Sequence, residues 1–214
     1  MTILDQISEA TQAGIKQDVE QYVQQAIDEG VPAQQILDEG LVVGMGIIGE
    51  KFSSNEVFIP EMLMAARAMS AGTTLLRPLL VQEGVPTKGK AIISTVKGDV
   101  HDIGKNLVRM MLEGKGIDVV DLGVDTPPDE IVDFIKEHED LQLVCLSSLL
   151  TTSMAALEET VKRIIDEGLH DQVKIMVGGA PVTQEFADQI GADGYASDAA
   201  AGAARAIELL TNEE

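Results

Sequence analysis

From Thr2 to about Val85 the apolar positions recur three or four residues apart, the spacing of an amphipathic helix. Leu4, Ile7, Ile15, Val19, Tyr22, Val23, Ala26 and Ile27 carry the pattern first. Gly30 and Pro32 mark a stop and a new helical start. Ile36, Leu37, Leu41, Val42 and Met45 continue on a third helix. A fourth begins near Pro60, after Phe52-Ser53-Ser54-Asn55, and runs through Met62, Leu63, Ala66 and Met69 to about Leu80. No stretch alternates as a half-buried strand would. The expected product is a small antiparallel four-helix bundle.

The pattern changes after Gln82-Glu83-Gly84-Val85-Pro86-Thr87-Lys88-Gly89, a breaker-rich joint. Apolar runs Ala91–Ser94, Ile117–Leu122, Leu143–Ser147 and Ile175–Val177 alternate with helical stretches Gly104–Lys115, Pro128–Glu137, Met154–Glu167 and Val182–Ile190. A short fifth strand at Gly194-Tyr195-Ala196 precedes a last helix to about Leu210. Repeated strand–helix units predict a parallel sheet with helices on both faces. Five strands suit the flavodoxin-like, Rossmann-like order 2-1-3-4-5. The expected organisation is a helical cap over residues 1–86 and an α/β domain over residues 87–214. In that order the chain reverses between the first and third strands, and ligands bind at their carboxyl ends.

Charge and composition narrow the function. Fifteen Lys and Arg face thirty-six Asp and Glu, a net charge of −21. Such a surface repels phosphate backbones, which argues against nucleic acid, and it offers no polybasic membrane patch. No run reaches the length of a membrane span. The opening Met1–Gln6 has no basic or long apolar region, so no secretory leader is expected. The one cysteine, Cys145, leaves no internal disulfide and no cysteine-rich metal centre. These features fit a cytoplasmic protein.

The chemistry concentrates where the first strand becomes a helix, in Asp99-Val100-His101-Asp102-Ile103-Gly104. A metal-bound imidazole usually gives its second N–H to a carboxylate, and Asp99 or Asp102 could accept it. The plainer readings are a structural histidine, a turn-forming Asp99 and a helix-capping Asp102. The third strand ends in Ser147, Ser148, Thr151, Thr152 and Ser153, hydroxyls that either cap the next helix or extend a hydrogen-bond chain from Asp99. Gly178-Gly179 ends the fourth strand, as an ordinary turn or as a close approach to a flat ligand. His138 and His170 read as solvated. Gly44-Met45-Gly46-Ile47-Ile48-Gly49 spells a dinucleotide-loop motif, but inside a helical pattern; small residues for helix packing are the better reading. Phe58, Ile59 and Met62 surround a helix start, as a hydrophobic staple or as an apolar lid.

Asp99, His101 and Gly104, then Ser147 and Leu149, then Gly178 and Gly179, form a set that resembles the cobalamin-binding domain of corrinoid-dependent enzymes. The helical half with Phe58-Ile59-Pro60-Glu61-Met62 is similar to the cap of methyl-transferring corrinoid proteins, including those serving methylamine, methanol and betaine systems, and to the matching part of cobalamin-dependent methionine synthase. The resemblance implies a corrinoid bound base-off with His101 as lower axial ligand to cobalt. It implies Asp99 orienting His101, with Ser153 completing a relay. Val100, Asp102, Ile103, Gly104, Ser147, Leu149, Thr151, Gly178, Gly179, Tyr195, Ser197 and Asp198 would touch the cofactor or its nucleotide tail. Phe58 and Met62 would cover the methyl-bearing face, and the joint at 84–89 would be the hinge. The implied function is a methyl shuttle alternating between cobalt(I) and methyl-cobalt(III). It would take the methyl group from a substrate-specific methyltransferase to a second one acting on coenzyme M or tetrahydrofolate, and a corrinoid reductive activase would restore it.

Three rivals share parts of this pattern. A radical-mutase subunit shares the His101 motif but has another cap. A cobalamin-dependent sensor would carry a DNA-binding segment. A nucleotide-binding flavodoxin-like domain would leave His101 structural.

Overall fold

A computed structural model of the chain describes residues 1–83 and 88–211. The expected domain boundary, and the hinge positions 84–87, lie outside the described residues. The chain divides into two compact units, Met1–Thr87 with Glu113–Gly116, and Lys88–Leu112 with Ile117–Glu214.

The first unit is helical: α1 (Ile3–Ala13), α2 (Lys16–Asp28), α3 (Ala33–Gln35), α4 (Val43–Ser53) and α5 (Ile59–Gln82). Thr2 starts α1 with a capping box: its hydroxyl accepts from the Asp5 N–H, and the Asp5 carboxylate accepts from the Thr2 N–H. Gly14, in the left-handed region, ends that helix. The expected third helix is present, but Ile36–Val42 forms a π-helical turn joining α3 to α4. Ile7, Val19, Val23, Leu41, Met45, Met62 and Met69 make the aliphatic, methionine-rich core.

The glycine motif lies in α4, as the helical pattern requires. Only part of it serves close packing. A Cβ on Gly44 would sit 2.7 Å from the Ser8 carbonyl oxygen of α1, whereas one on Gly46 would meet nothing within 4 Å.

The second unit is a parallel five-stranded sheet in the order β2-β1-β3-β4-β5. The strands are β1 (Lys90–Thr95), β2 (Asp118–Asp121), β3 (Leu143–Ser147), β4 (Lys174–Gly178) and β5 (Gly194–Ala196). The helices are α6 (Ile103–Gly114), α7 (Pro128–Glu137), α8 (Met154–Asp166), α9 (Gln184–Ile190) and α10 (Ala199–Thr211). Alternation along the strands sorts the side chains. Ile92, Val144, Leu146, Ile175 and Val177 face α7, α8 and α9 in one apolar cluster. The other face carries α6 and α10: a Cβ on Gly202 of α10 would lie 3.5 Å from Ala196 Cβ, 3.8 Å from Val108 and 3.9 Å from Met176. Register pairs Thr95 with Ser147 and Ser147 with Gly178, so the candidate residues of three strands lie side by side at the carboxyl edge.

Candidate functional site

Three turns leave that edge: residues 96–102 after β1, 148–153 after β3, and 179–183 after β4. Asp99 lies at the centre of the first and is fully buried. Its Oδ1 accepts from the His101 backbone N–H at 3.0 Å and from the His101 ring at 2.7 Å. Because an ionised carboxylate only accepts, the ring nitrogen Nδ1 carries the proton. That leaves Nε2 with its lone pair outward, and no group among the described residues bonds it. The imidazole side chain is 48% exposed.

Asp99 Oδ2 accepts from Leu149 N–H at 2.6 Å, Leu150 N–H at 3.2 Å and the Ser153 hydroxyl at 3.0 Å. Both Asp99 readings therefore hold: it forms the turn and also orients the ring. Behind Ser153 the Ser148 hydroxyl lies 2.7 Å away, with both serines buried. Burial alone would raise the Asp99 carboxyl. The His101 and Leu149 N–H groups, the His101 ring and the Ser153 hydroxyl outweigh it and hold the group well below the usual carboxylate range.

A carboxyl depressed by folding contributes stability that is fully present above about pH 4 and is lost as pH falls toward its folded value. Asp99→Asn places an amide against the Leu149 and Leu150 N–H groups. It is expected to cost about 2–4 kcal/mol near neutral pH. The variant should also lose stability less steeply than the parent between about pH 4 and pH 2. Chemical denaturation across that range checks both; parallel pH curves would show the carboxylate untied.

The His101 turn and the turn after β3 carry exposed apolar side chains. Val100 and Ile103 are 69% and 65% exposed, and Leu149 and Leu150 are 42% and 38% exposed. A Cβ on Gly104 would meet nothing within 4 Å. Ser147 and Gly178 lie on the α6–α10 side of the sheet, and Thr151 is exposed on the turn after β3. Gly179 has φ +127°, and a Cβ there would run into the Ser148 carbonyl, so it crosses directly over the turn after β3.

Tyr195 packs against the apolar cluster on the α7–α8–α9 side, because neighbours along a strand point to opposite faces; Ala196 takes the other face. Met62 is fully buried in the helical core and presents no atom to a ligand. Asp198 caps α10, its carboxylate accepting from the Ala201 N–H at 2.9 Å; exposed Ser197 precedes it. The Asp102 carboxylate accepts from the Asn106 side-chain amide at 3.0 Å, and its backbone carbonyl accepts the first helical bond of α6. Phe58 does not staple: its backbone N–H donates to Glu61 and its ring is 69% exposed. His138 and His170 are not simply solvated. His138 stacks on Phe134 and bonds its carbonyl, and His170 pairs with Asp193 at 2.8 Å.

Three hydrogen-bond contributions were not read from the sequence. Two are backbone, the N–H groups of Leu149 and Leu150. The third is Thr95, buried at the end of β1, whose hydroxyl donates to the His101 carbonyl at 2.8 Å. A hydroxyl at a strand end that opens such a turn was the available clue.

Among the described residues no three His, Cys, Asp or Glu side chains are grouped to hold a metal ion. One unengaged imidazole nitrogen, on an edge with exposed apolar side chains, suits a metal that arrives with most of its ligands. No described helix is long and apolar enough to cross a membrane.

Comparison with known proteins agrees with that geometry. Residues 89–204 match a family model described as "B12 binding domain", and residues 3–77 match a second model with the same description. The chain is 39% identical over 208 residues to a dimethylamine corrinoid protein of Methanosarcina acetivorans, covering 97% of each chain. The crystal structure of a cobalamin-binding protein from Desulfitobacterium hafniense superposes with a TM-score of 0.82 at 32% identity, covering 96% of this chain and 98% of that one. A methanol:cobalamin methyltransferase complex from Methanosarcina barkeri gives a TM-score of 0.81 at 30% identity, covering 98% of this chain and 80% of that one.

Proposed function

The chain belongs to the B12-binding domain family, and from that premise we propose that it is a corrinoid methyl carrier that ligates cobalt through His101. The observation that carries the reading is the pairing of His101 Nδ1 with buried Asp99, which presents Nε2 outward. A bound corrinoid supplies a cobalt ion that takes a methyl group from one enzyme and yields it to another. The rest falls to residues of this chain. Asp99 holds the ring tautomer and stabilises positive charge that develops on the imidazole when its nitrogen donates. Ser153 and the Leu149 and Leu150 N–H groups keep Asp99 ionised and fixed. Val100, Ile103 and Leu149 would be covered by a bound corrinoid and would keep water from the imidazole.

The residues fit the cofactor. Gly104 has open space beside it, with nothing within 4 Å of where a Cβ would stand, and Ser147 and Gly178 lie on the α6–α10 side of the sheet. These positions, with Thr151 and Gly179, are the proposed bed of the nucleotide tail; Ser197 and Asp198 are the proposed rim.

A methyltransferase is the expected partner, consistent with the similarity to a chain of the methanol:cobalamin methyltransferase complex. A donor-side enzyme specific for a methylated substrate, an acceptor-side enzyme using coenzyme M or tetrahydrofolate, and a reductive activase are our finer assignments. The test loads the chain with methylcobalamin and supplies each acceptor with its methyltransferase. One pairing should strip the methyl group in proportion to added acceptor. Retention of the methyl group with both, together with light-independent homolysis of adenosylcobalamin when the chain is loaded with it and a mutase barrel is added, would replace the carrier with a radical-mutase subunit.

A further inference from the structure

The loop between β2 and α7 holds the His101 turn by a residue that no motif singles out. Asp125 has φ +54°, one of two non-glycine residues in the left-handed region among the described residues. L-residues avoid that region, and an outlier of this kind is held by what surrounds it. Here the bonds are specific. The Asp125 backbone N–H donates to the Asp99 carbonyl at 2.8 Å. Its Oδ1 accepts from the Gly98 N–H at 2.7 Å. One residue thus grips the peptide before Gly98 and the peptide after Asp99. The peptide between them is held separately, by Asp99 N–H donating to the Val96 carbonyl at 3.2 Å. Together the three bonds restrain the backbone at Gly98 and Asp99, and with it the direction of the Asp99 Cα–Cβ bond.

The anchor is itself tied to the sheet. The next residue, Thr126, donates its N–H to the Thr95 carbonyl at 3.1 Å, and Thr95 holds the His101 carbonyl through its hydroxyl. The left-handed backbone at Asp125 is what turns both its N–H and its carboxylate toward the same two residues. An aspartate tolerates that conformation better than other side-chain-bearing residues except asparagine.

The geometry points to Asp125 as a positioning residue for the lower ligand: it aims the Asp99 carboxylate, and through it His101 Nε2. This inference rests on the reading of His101 as the cobalt ligand. It adds a requirement from a different loop, outside the Asp99–His101–Ser153 group.

Three substitutions separate the elements of the grip. Asp125→Asn keeps the left-handed tolerance and an acceptor oxygen. Asp125→Gly keeps the backbone conformation and removes the acceptor. Asp125→Ala removes the acceptor and disfavours the backbone. In the chain without cofactor, amide hydrogen exchange at Gly98 should quicken about tenfold in Asp125→Gly, more in Asp125→Ala, and little in Asp125→Asn. After loading with cobalamin, the fraction with histidine coordinated is read from the absorption spectrum and from nitrogen splitting in the paramagnetic form. It should fall in Asp125→Gly and Asp125→Ala and be restored in Asp125→Asn. His101→Ala is run beside them. If His101→Ala matches the parent spectrum, the ligand reading itself fails. If His101→Ala differs while Asp125→Gly and Asp125→Ala keep full coordination, the ligand reading stands and the positioning role is overturned.

Discussion

His101→Ala is expected to weaken corrinoid binding by about 100-fold or more and to abolish the histidine-coordinated spectrum. The magnitude follows from comparison with outer-shell partners of metal-bound histidines, whose loss alone costs about 10–100-fold. The turn should survive the change. The backbone N–H at position 101 still donates to Asp99, and the Thr95 hydroxyl still holds the carbonyl. Asp99 keeps the Leu149, Leu150 and Ser153 donors. A near-parental melting temperature should therefore accompany the lost affinity. Titration with cobalamin, followed by absorbance, measures the first; scanning calorimetry measures the second. Parental affinity and spectrum in this variant would return His101 to a structural role and would remove the basis for the proposed carrier.

Much of this arrangement was legible in the chain, for identifiable reasons. Leu143–Ser147 and Gly194–Ala196 stand as expected, and so does Pro128–Glu137, where Pro127 precedes a helix that starts on Pro128. Period and breakers fix such elements locally. The His101 turn was legible because its spacing places a carboxylate two residues before an imidazole. What failed is what one dimension hides. Tyr195 lies beside Ala196 in sequence but on the opposite face of the sheet. Met62 lies inside α5 and is fully buried, although Phe58 and Ile59 at the start of that helix are exposed. The bonds of Leu149, Leu150 and Asp125 to Asp99 come from backbone N–H groups, which every non-proline residue has, so no letter announces them. In the run of hydroxyls the resemblance singled out Ser153 alone; burial adds Ser148 behind it.

Two glycine substitutions are expected to separate the fold of this edge from its occupancy. Gly179→Ala drives a methyl group into the Ser148 carbonyl from a backbone at φ +127°. Ser148 cannot yield freely, since its N–H donates to the Gly178 carbonyl at 3.0 Å and its hydroxyl lies 2.7 Å from that of Ser153. Steric overlap and backbone strain together should cost about 4 kcal/mol, a drop in melting temperature of about 10 °C. Displacing Ser148 also pulls Ser153 from Asp99, so coordination by His101 should weaken even below the melting range. Gly104→Ala behaves oppositely. Its methyl group meets no protein atom within 4 Å, and alanine favours the first turn of α6, so the apoprotein should be as stable or slightly more so. The same methyl group occupies the space assigned to the nucleotide tail, and cobalamin affinity should fall while a truncated corrinoid without that tail binds as before. Equal losses for both corrinoids would place the tail away from Gly104, and unchanged stability in Gly179→Ala would mean that the turns after β3 and β4 give way more easily than their bonds imply.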